Sequence, residues 1–142
     1  MLNDIIDGVS RRLNEAFGDG YEVYTEQVKQ GLQPPCFSVS CVNAVDTQVL
    51  GNRRLRRNLF SVKYFPASET EAKAECLDIQ DRLFSALEYI TAGGDLIRGT
   101  DMNGEFVDGV LVCIVSYNVF IHVIPGDEPM ETLETPNIGA RG

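Results

Sequence analysis

The chain has 142 residues, of which 44% are hydrophobic and 23% charged, so its length and composition are those of one compact globular domain. Twelve basic residues against 21 acidic ones give a net charge of −9, which argues against a broad nucleic-acid-binding face because phosphate would be repelled. The acidic start is unlike a secretory signal and no apolar run is long enough to span a membrane. We therefore expect a protein made in a cytoplasm, with no membrane partner.

The N-terminal region predicts a helix followed by a strand. Apolar residues recur at helical spacing in residues 2–17, and Gly18 and Gly20 are predicted to end this helix. Residues 21–28 then alternate with a period of two and are rich in aromatic and β-branched side chains, which predicts a strand. Pro34 and Pro35 follow as strand breakers.

Residues 37–65 predict a long β-hairpin. Gly51 and Asn52 supply its two-residue connection, with glycine at the position where a type II′ turn needs positive φ. The returning strand covers residues 53–65. Its apolar phase shifts near Leu59, which predicts either a β-bulge or a change of exposed face.

A second, long helix is predicted after Pro66. Ser68 and Glu71 have the spacing of a capping box, with serine at the N-cap and glutamate at N3. Apolar residues continue at helical spacing as far as Ile90, and the Gly93-Gly94 pair is predicted to end the helix.

Two further strands flank Asp108-Gly109, which predicts a type I′ turn with Val107 opposite Val110. An unbroken register places ten side chains on the face toward the helices: Leu96, Thr100, Met102, Phe106, Leu111, Cys113, Val115, Tyr117, Val119 and Ile121. The predicted order is helix, three strands, helix, two strands. We expect an α+β domain over residues 1–124, with a mainly antiparallel sheet of about five strands and both helices on one side. Residues 125–142 are predicted as an exposed, partly disordered tail.

The sequence offers little for catalysis or for a metal or cofactor. His122 is the only histidine, and its position on the more polar face of a strand favours a packing or solvated role. Asp101, Glu105 and Asp108 would be the nearest candidates for an enzyme that uses carboxylates alone, but they flank a tight turn that favours aspartate. We expect no catalytic residues, no cofactor and no metal. Four cysteines without metal or redox spacing are predicted to be reduced core residues: Cys36, Cys41, Cys76 and Cys113.

One short basic segment interrupts the acidic chain. Residues 51–66 contain five basic and no acidic residues, four of them arginines on alternating faces of the predicted strand: Arg53, Arg54, Arg56 and Arg57. Three interpretations stay open: a charged edge that blocks unwanted strand pairing, an arm that docks on an acidic partner, or a nucleic-acid contact. The acidic remainder of the chain favours the docking arm over the nucleic-acid contact.

Five short segments, in their order, resemble the tail terminator (tail completion) proteins of phages and prophages of Gram-positive bacteria. The segments are D-G-V-S-R-R-L at 7–13, G-L-Q-P-P-C-F at 31–37, G-N-R at 51–53, L-I-R-G-T at 96–100 and V-D-G-V-L at 107–111. The resemblance extends to about Ile124 and implies a non-enzymatic α+β protein. It implies a ring, usually hexameric, on the head-proximal end of the tail tube, which stops tube growth and offers a surface to the head connector.

The partners that the resemblance implies are other copies of the chain, the tail tube protein and the head-tail connector protein, in a virion assembled in the bacterial cytoplasm. DNA would pass through the ring without specific binding. We expect the four arginines to pair with acids on the second helix of the next copy: Glu71, Glu75 and Asp78. The alternatives are another connector, neck or minor tail protein, or a small ligand-binding α+β domain.

Overall fold

The computed structural model describes residues 1–25, 31–123 and 131–134. It contains helices α1 (Leu2–Phe17) and α2 (Ala72–Ala86). The strands are β1 (Glu22–Tyr24), β2 (Cys36–Leu50), β3 (Arg53–Phe65), β4 (Tyr89–Ala92), β5 (Asp95–Val107), β6 (Val110–Val123) and β7 (Glu131–Glu134). They form one sheet in the order β1-β2-β3-β6-β5-β4, with β7 paired to β6.

The α+β class is confirmed, and the predicted, mainly antiparallel sheet of about five strands is roughly consistent with the one observed. Six strands lie on its main path, and β1 pairs with β2 in parallel, so the sheet is mixed. The bounds of α1 and β3 are those predicted. Four residues of the predicted tail form β7, which pairs antiparallel with β6, and the rest of that segment lies outside the described residues. The predicted first strand is described only as far as residue 25.

The second helix ends earlier than predicted, and a strand follows it. Helix α2 stops at Ala86, and β4 then pairs with β5, with Ile90 opposite Ile97. Gly93 and Gly94, with φ of 58° and 86°, form the turn between β4 and β5 rather than the end of a helix. Burial in β4 alternates residue by residue, which is the period of a strand.

The β5–β6 hairpin has the predicted turn and a register shift that was not predicted. Asp108 and Gly109 have φ of 52° and 79°, as a type I′ turn requires, and Val107 pairs with Val110. Between Thr100 and Asn103 the register shifts by one, at Asp101 with φ of 53°. The shift exchanges the two faces, so the prediction that Leu96 faces the core was wrong: Leu96 is 56% exposed.

In the β2–β3 hairpin, the irregularity that was predicted in β3 near Leu59 lies in β2. Gly51 has the positive φ of the predicted turn, at 59°. The β2–β3 pairing has two register shifts, one between Cys41 and Asn43, opposite Leu59, and one between Gln48 and Leu50, whereas β3 pairs with β6 without interruption. Strand β3 therefore keeps one face toward the core along its length.

Both helices pack on one face of the sheet, as predicted. Six inward residues of β6 are buried: Leu111, Cys113, Val115, Tyr117, Val119 and Ile121. They contact buried residues of the two helices: Ile5, Val9, Leu13 and Phe17 of α1, and Cys76, Ile79 and Leu83 of α2. The cysteines are free thiols, three buried and Cys41 half-buried, and burial raises the pKa of the Cys113 thiol to about 11. The described cysteines thus belong to the core and its margin.

The start of α2 is joined to the end of β3 through Glu75. The Glu71 N–H donates to the Ser68 hydroxyl at 3.0 Å. Helix α2, however, begins at Ala72 with Glu71 at its N-cap, so the prediction that Ser68 is the N-cap was wrong. The carboxylate that binds the backbone before the helix belongs to Glu75 and not to Glu71. It accepts hydrogen bonds from the Tyr64 hydroxyl at 2.5 Å, the Ala67 N–H at 2.8 Å and the Ser68 N–H at 3.0 Å. Burial opposes ionisation of Glu75, but these three hydrogen bonds outweigh it and lower the pKa of the carboxyl.

Glu75→Gln should lower the free energy of unfolding by about 1 kcal/mol at pH 7, because the loop before α2 loses a charged acceptor. The pKa of Glu75 is lower in the folded chain than its ordinary value of 4.5, so this stabilisation is present above pH 4.5 and is lost as the pH falls through the folded value. Urea unfolding of both chains should show the difference shrinking in acid. Glu71→Gln, at an exposed position of the same turn, is the control, and an equal loss there would contradict the assignment.

Gly8→Ala should destabilise the chain although alanine is the better helix former. A Cβ at Gly8 would collide with the backbone carbonyl oxygen of Thr91, because α1 lies directly against β4. Overpacking of this kind costs about 1–3 kcal/mol, against a propensity gain of about 1 kcal/mol. Thermal unfolding should show a lower Tm for Gly8→Ala and an unchanged or higher Tm for Asn14→Ala on the exposed side of α1. A higher Tm for Gly8→Ala would show that the helix and strand are not in contact.

Candidate assembly surface

The far half of the β2–β3 hairpin stands out from the body of the domain. We name residues 43–57 the arginine hairpin. All residues of β2 from Val42 to Leu50 are exposed, among them Val45 and Val49 at 45% and 52%. Strand β1 covers only the Cys36–Ser38 part of the β2 edge, and no other strand of the described residues pairs with that edge beyond Ser38. An unpaired edge with exposed apolar side chains offers unpaired backbone groups to a strand of another chain.

The arginines divide between the two faces of this hairpin, as the strand period predicts. Arg54 and Arg56 lie on one face and both pair with Asp46, at 3.6 Å and 3.2 Å. Arg53 lies on the other face, with its guanidinium 4.7 Å from the centre of the Phe120 ring. Arg57 is exposed on that same face and has no ion pair within the described residues.

Asp46 is a residue of this candidate surface that was not predicted from the sequence. It stands opposite Arg56 across the hairpin and neutralises part of the basic segment. Counting back from the Gly51-Asn52 turn places Asp46 within one position of Arg56, so the signal was present in the sequence. Cross-strand opposite charges are a usual feature of paired strands.

The three acids predicted to receive the arginines are not equivalent. Glu71 and Asp78 are exposed on α2. Glu75 is half-buried and binds its own chain through the three hydrogen bonds described above. Of the three predicted acids, Glu71 and Asp78 therefore face solvent, and Asp81 of α2 is exposed as well.

The described residues show no arrangement typical of an active site. His122 is half-buried and lies opposite Arg53 in the register of β3 and β6. No group of three or more potential metal ligands occurs among residues 1–25, 31–123 and 131–134. A groove of about 420 Å³ runs along α2 and β5, and two charged residues that line it, Arg98 and Glu88, pair with each other at 3.4 Å.

Within the same described ranges, neither helix has the length and apolar character needed to cross a bilayer.

Comparison with known proteins identifies the family. Residues 4–130 match the family described as phage tail terminator protein. No curated protein sequence matches the chain. Among solved structures, a chain from the virion of a native gene transfer agent particle is 15% identical with a TM-score of 0.44, covering 82% of this chain and 93% of that one. A second solved chain is 13% identical with a TM-score of 0.45, covering 90% of this chain and 99% of that one.

Because the match spans most of the chain, the protein belongs to the phage tail terminator family. It is a structural protein of a phage tail and thus a component of the phage particle. The family is not one of enzymes.

Asp46→Asn should change the free energy of unfolding by less than about 1 kcal/mol, because exposed ion pairs contribute little to stability. Arg54 and Arg56 are partly exposed, at 42% and 27%, so water can replace the carboxylate. Urea unfolding measures the change, with Asp78→Asn on α2 as the control. A loss above about 2 kcal/mol would show that the pairs with Asp46 hold the hairpin together instead of adjusting its surface charge.

Proposed function

We propose that this chain forms a closed ring at the head-proximal end of a tail tube, where it ends polymerisation and presents a docking surface to the head connector. The observation that carries the proposal is the family match over residues 4–130. On this proposal its partners are other copies of itself, the tail tube protein and the head-tail connector protein. Assembly takes place in the cytoplasm of the bacterial host, and a hexamer is the ring size that the family resemblance implies.

A physical argument explains why such a protein must have two different faces. A tube grows because each added ring presents the same head-to-tail interface to the next one. Growth stops when the last ring matches the tube on one side and differs on the other. A terminator therefore needs one surface for the tube, one for the connector and a third that joins neighbouring copies.

The charge of the chain suits a ring through which DNA passes. Phosphate contacts supply the affinity of proteins for DNA, and a net charge of −9 disfavours them. The arginines are concentrated in the hairpin, where Asp46 offsets part of their charge. On this proposal the hairpin binds protein, and passing DNA is not held.

The test is the length of tail tubes that polymerise with and without the chain. Tube protein alone should give a broad length distribution by electron microscopy, and added chain should shorten the tubes and appear at one end only. An unrelated protein of similar size and charge is the control. Unchanged tube lengths would contradict the proposal. Binding to the connector protein but not to tubes would assign the chain to the neck instead.

A further inference from the structure

The two long hairpins of the sheet turn at opposite ends. Strands β3 and β6 pair antiparallel in one uninterrupted register, from Arg53 opposite His122 to Tyr64 opposite Leu111. The Gly51-Asn52 turn therefore lies beyond the His122 end, and the Asp108-Gly109 turn lies beyond the Tyr64 end. At the rise of an antiparallel strand the two turns are roughly 40 Å apart. They also lie on opposite sides of the β3–β6 pair, because β2 flanks β3 and β5 flanks β6.

These two hairpins carry opposite charge. We name residues 101–112 the acidic hairpin. It contains three acidic residues and no basic residue, whereas the arginine hairpin contains four arginines and Asp46 alone as an acid. Residues 105–109 are all exposed, and no cation of the described residues forms an ion pair with the acids of this hairpin: Asp101, Glu105 and Asp108.

Both hairpins also expose apolar side chains next to their charges. In the acidic hairpin Phe106 and Val107 are 39% and 44% exposed, and in the arginine hairpin Val49 and Leu50 are 52% and 78% exposed. Protein interfaces combine an apolar centre with a polar or charged rim. Each hairpin thus offers both components, with charges of opposite sign.

We propose that the arginine hairpin of one copy binds the acidic hairpin of the next copy. The contact joins two different surfaces of the same chain, so each copy donates one hairpin and receives the other, and the repeat closes into a ring when the rotation fits. This inference rests on the proposed function and identifies the surface that joins neighbouring copies.

The acidic hairpin fits this role better than the α2 surface. Glu75 is held by its own chain, and the α2 surface exposes Glu71, Asp78 and Asp81. The acidic hairpin combines three acids with an exposed aromatic ring and lies at the end of the sheet opposite the arginines. The arginine hairpin and the acidic hairpin of one copy are too far apart to contact each other, so each can contact only a hairpin of another copy.

The test exchanges the charges of two exposed residues and measures self-association by sedimentation at low salt. Arg57→Glu and Glu105→Arg should each weaken association at least about tenfold, because each places like charges across the contact. An equimolar mixture of the two variants, or both changes in one chain, should restore association to within about threefold of the original. Arg11→Glu is the control, since it makes the same charge change at an exposed position of α1, outside both hairpins and α2.

Asp78→Arg tests the α2 surface directly. Restoration of Arg57→Glu by Asp78→Arg and not by Glu105→Arg would overturn the inference, as would a wild-type chain that stays monomeric at low salt. Loss of DNA binding in Arg57→Glu with unchanged self-association would also overturn it and assign the arginines to nucleic acid. Hairpin-dependent assembly without any effect on tube length would contradict only the proposed function. If the chain caps tubes and neither Arg57→Glu nor Glu105→Arg changes that capping, only this inference is contradicted.

Discussion

Strand β6 holds the sheet and the helices together. It pairs with β3 over most of its length, with β5 on its other side, and with β7 near its end. Every second side chain from Leu111 to Ile121 is buried beneath the helices. A slip of one residue would turn that whole set toward solvent, so the apolar alternation keeps β6 in a single register. The positions of both long hairpins follow from that register.

The register of β6 fixes where the two charged hairpins lie, and these hairpins are the proposed contact between copies. Because β3 and β6 run antiparallel without interruption, the arginine hairpin and the acidic hairpin turn at opposite ends of one rigid ladder. Neither can neutralise the other within one copy. Asp46 removes part of the basic charge, and no described cation forms an ion pair with the acids beside Phe106. The excess of each sign is therefore exposed to solvent, as the proposed contact between copies requires.

Much of this fold could be predicted from the sequence, and the failures have physical causes. The Gly51-Asn52 and Asp108-Gly109 turns set the bounds of their hairpins because glycine and aspartate at those positions allow positive φ. Strand β4 was missed because Ile90 continues the helical spacing of Leu83 and Leu87. The shift at Asp101 was missed because nothing in the local sequence distinguishes a bulge from regular pairing. In the candidate surface, the arginines were found from their clustering, whereas the roles of Asp46 and Glu75 depend on contacts between separate segments.

The most direct test of this account is the solution mass of the purified chain, measured by light scattering at low and high salt. Charged hairpins that join copies predict a mass of several times 15.7 kDa at low salt, falling toward 15.7 kDa as salt screens the contact. A mass of 15.7 kDa at every salt concentration would contradict the account.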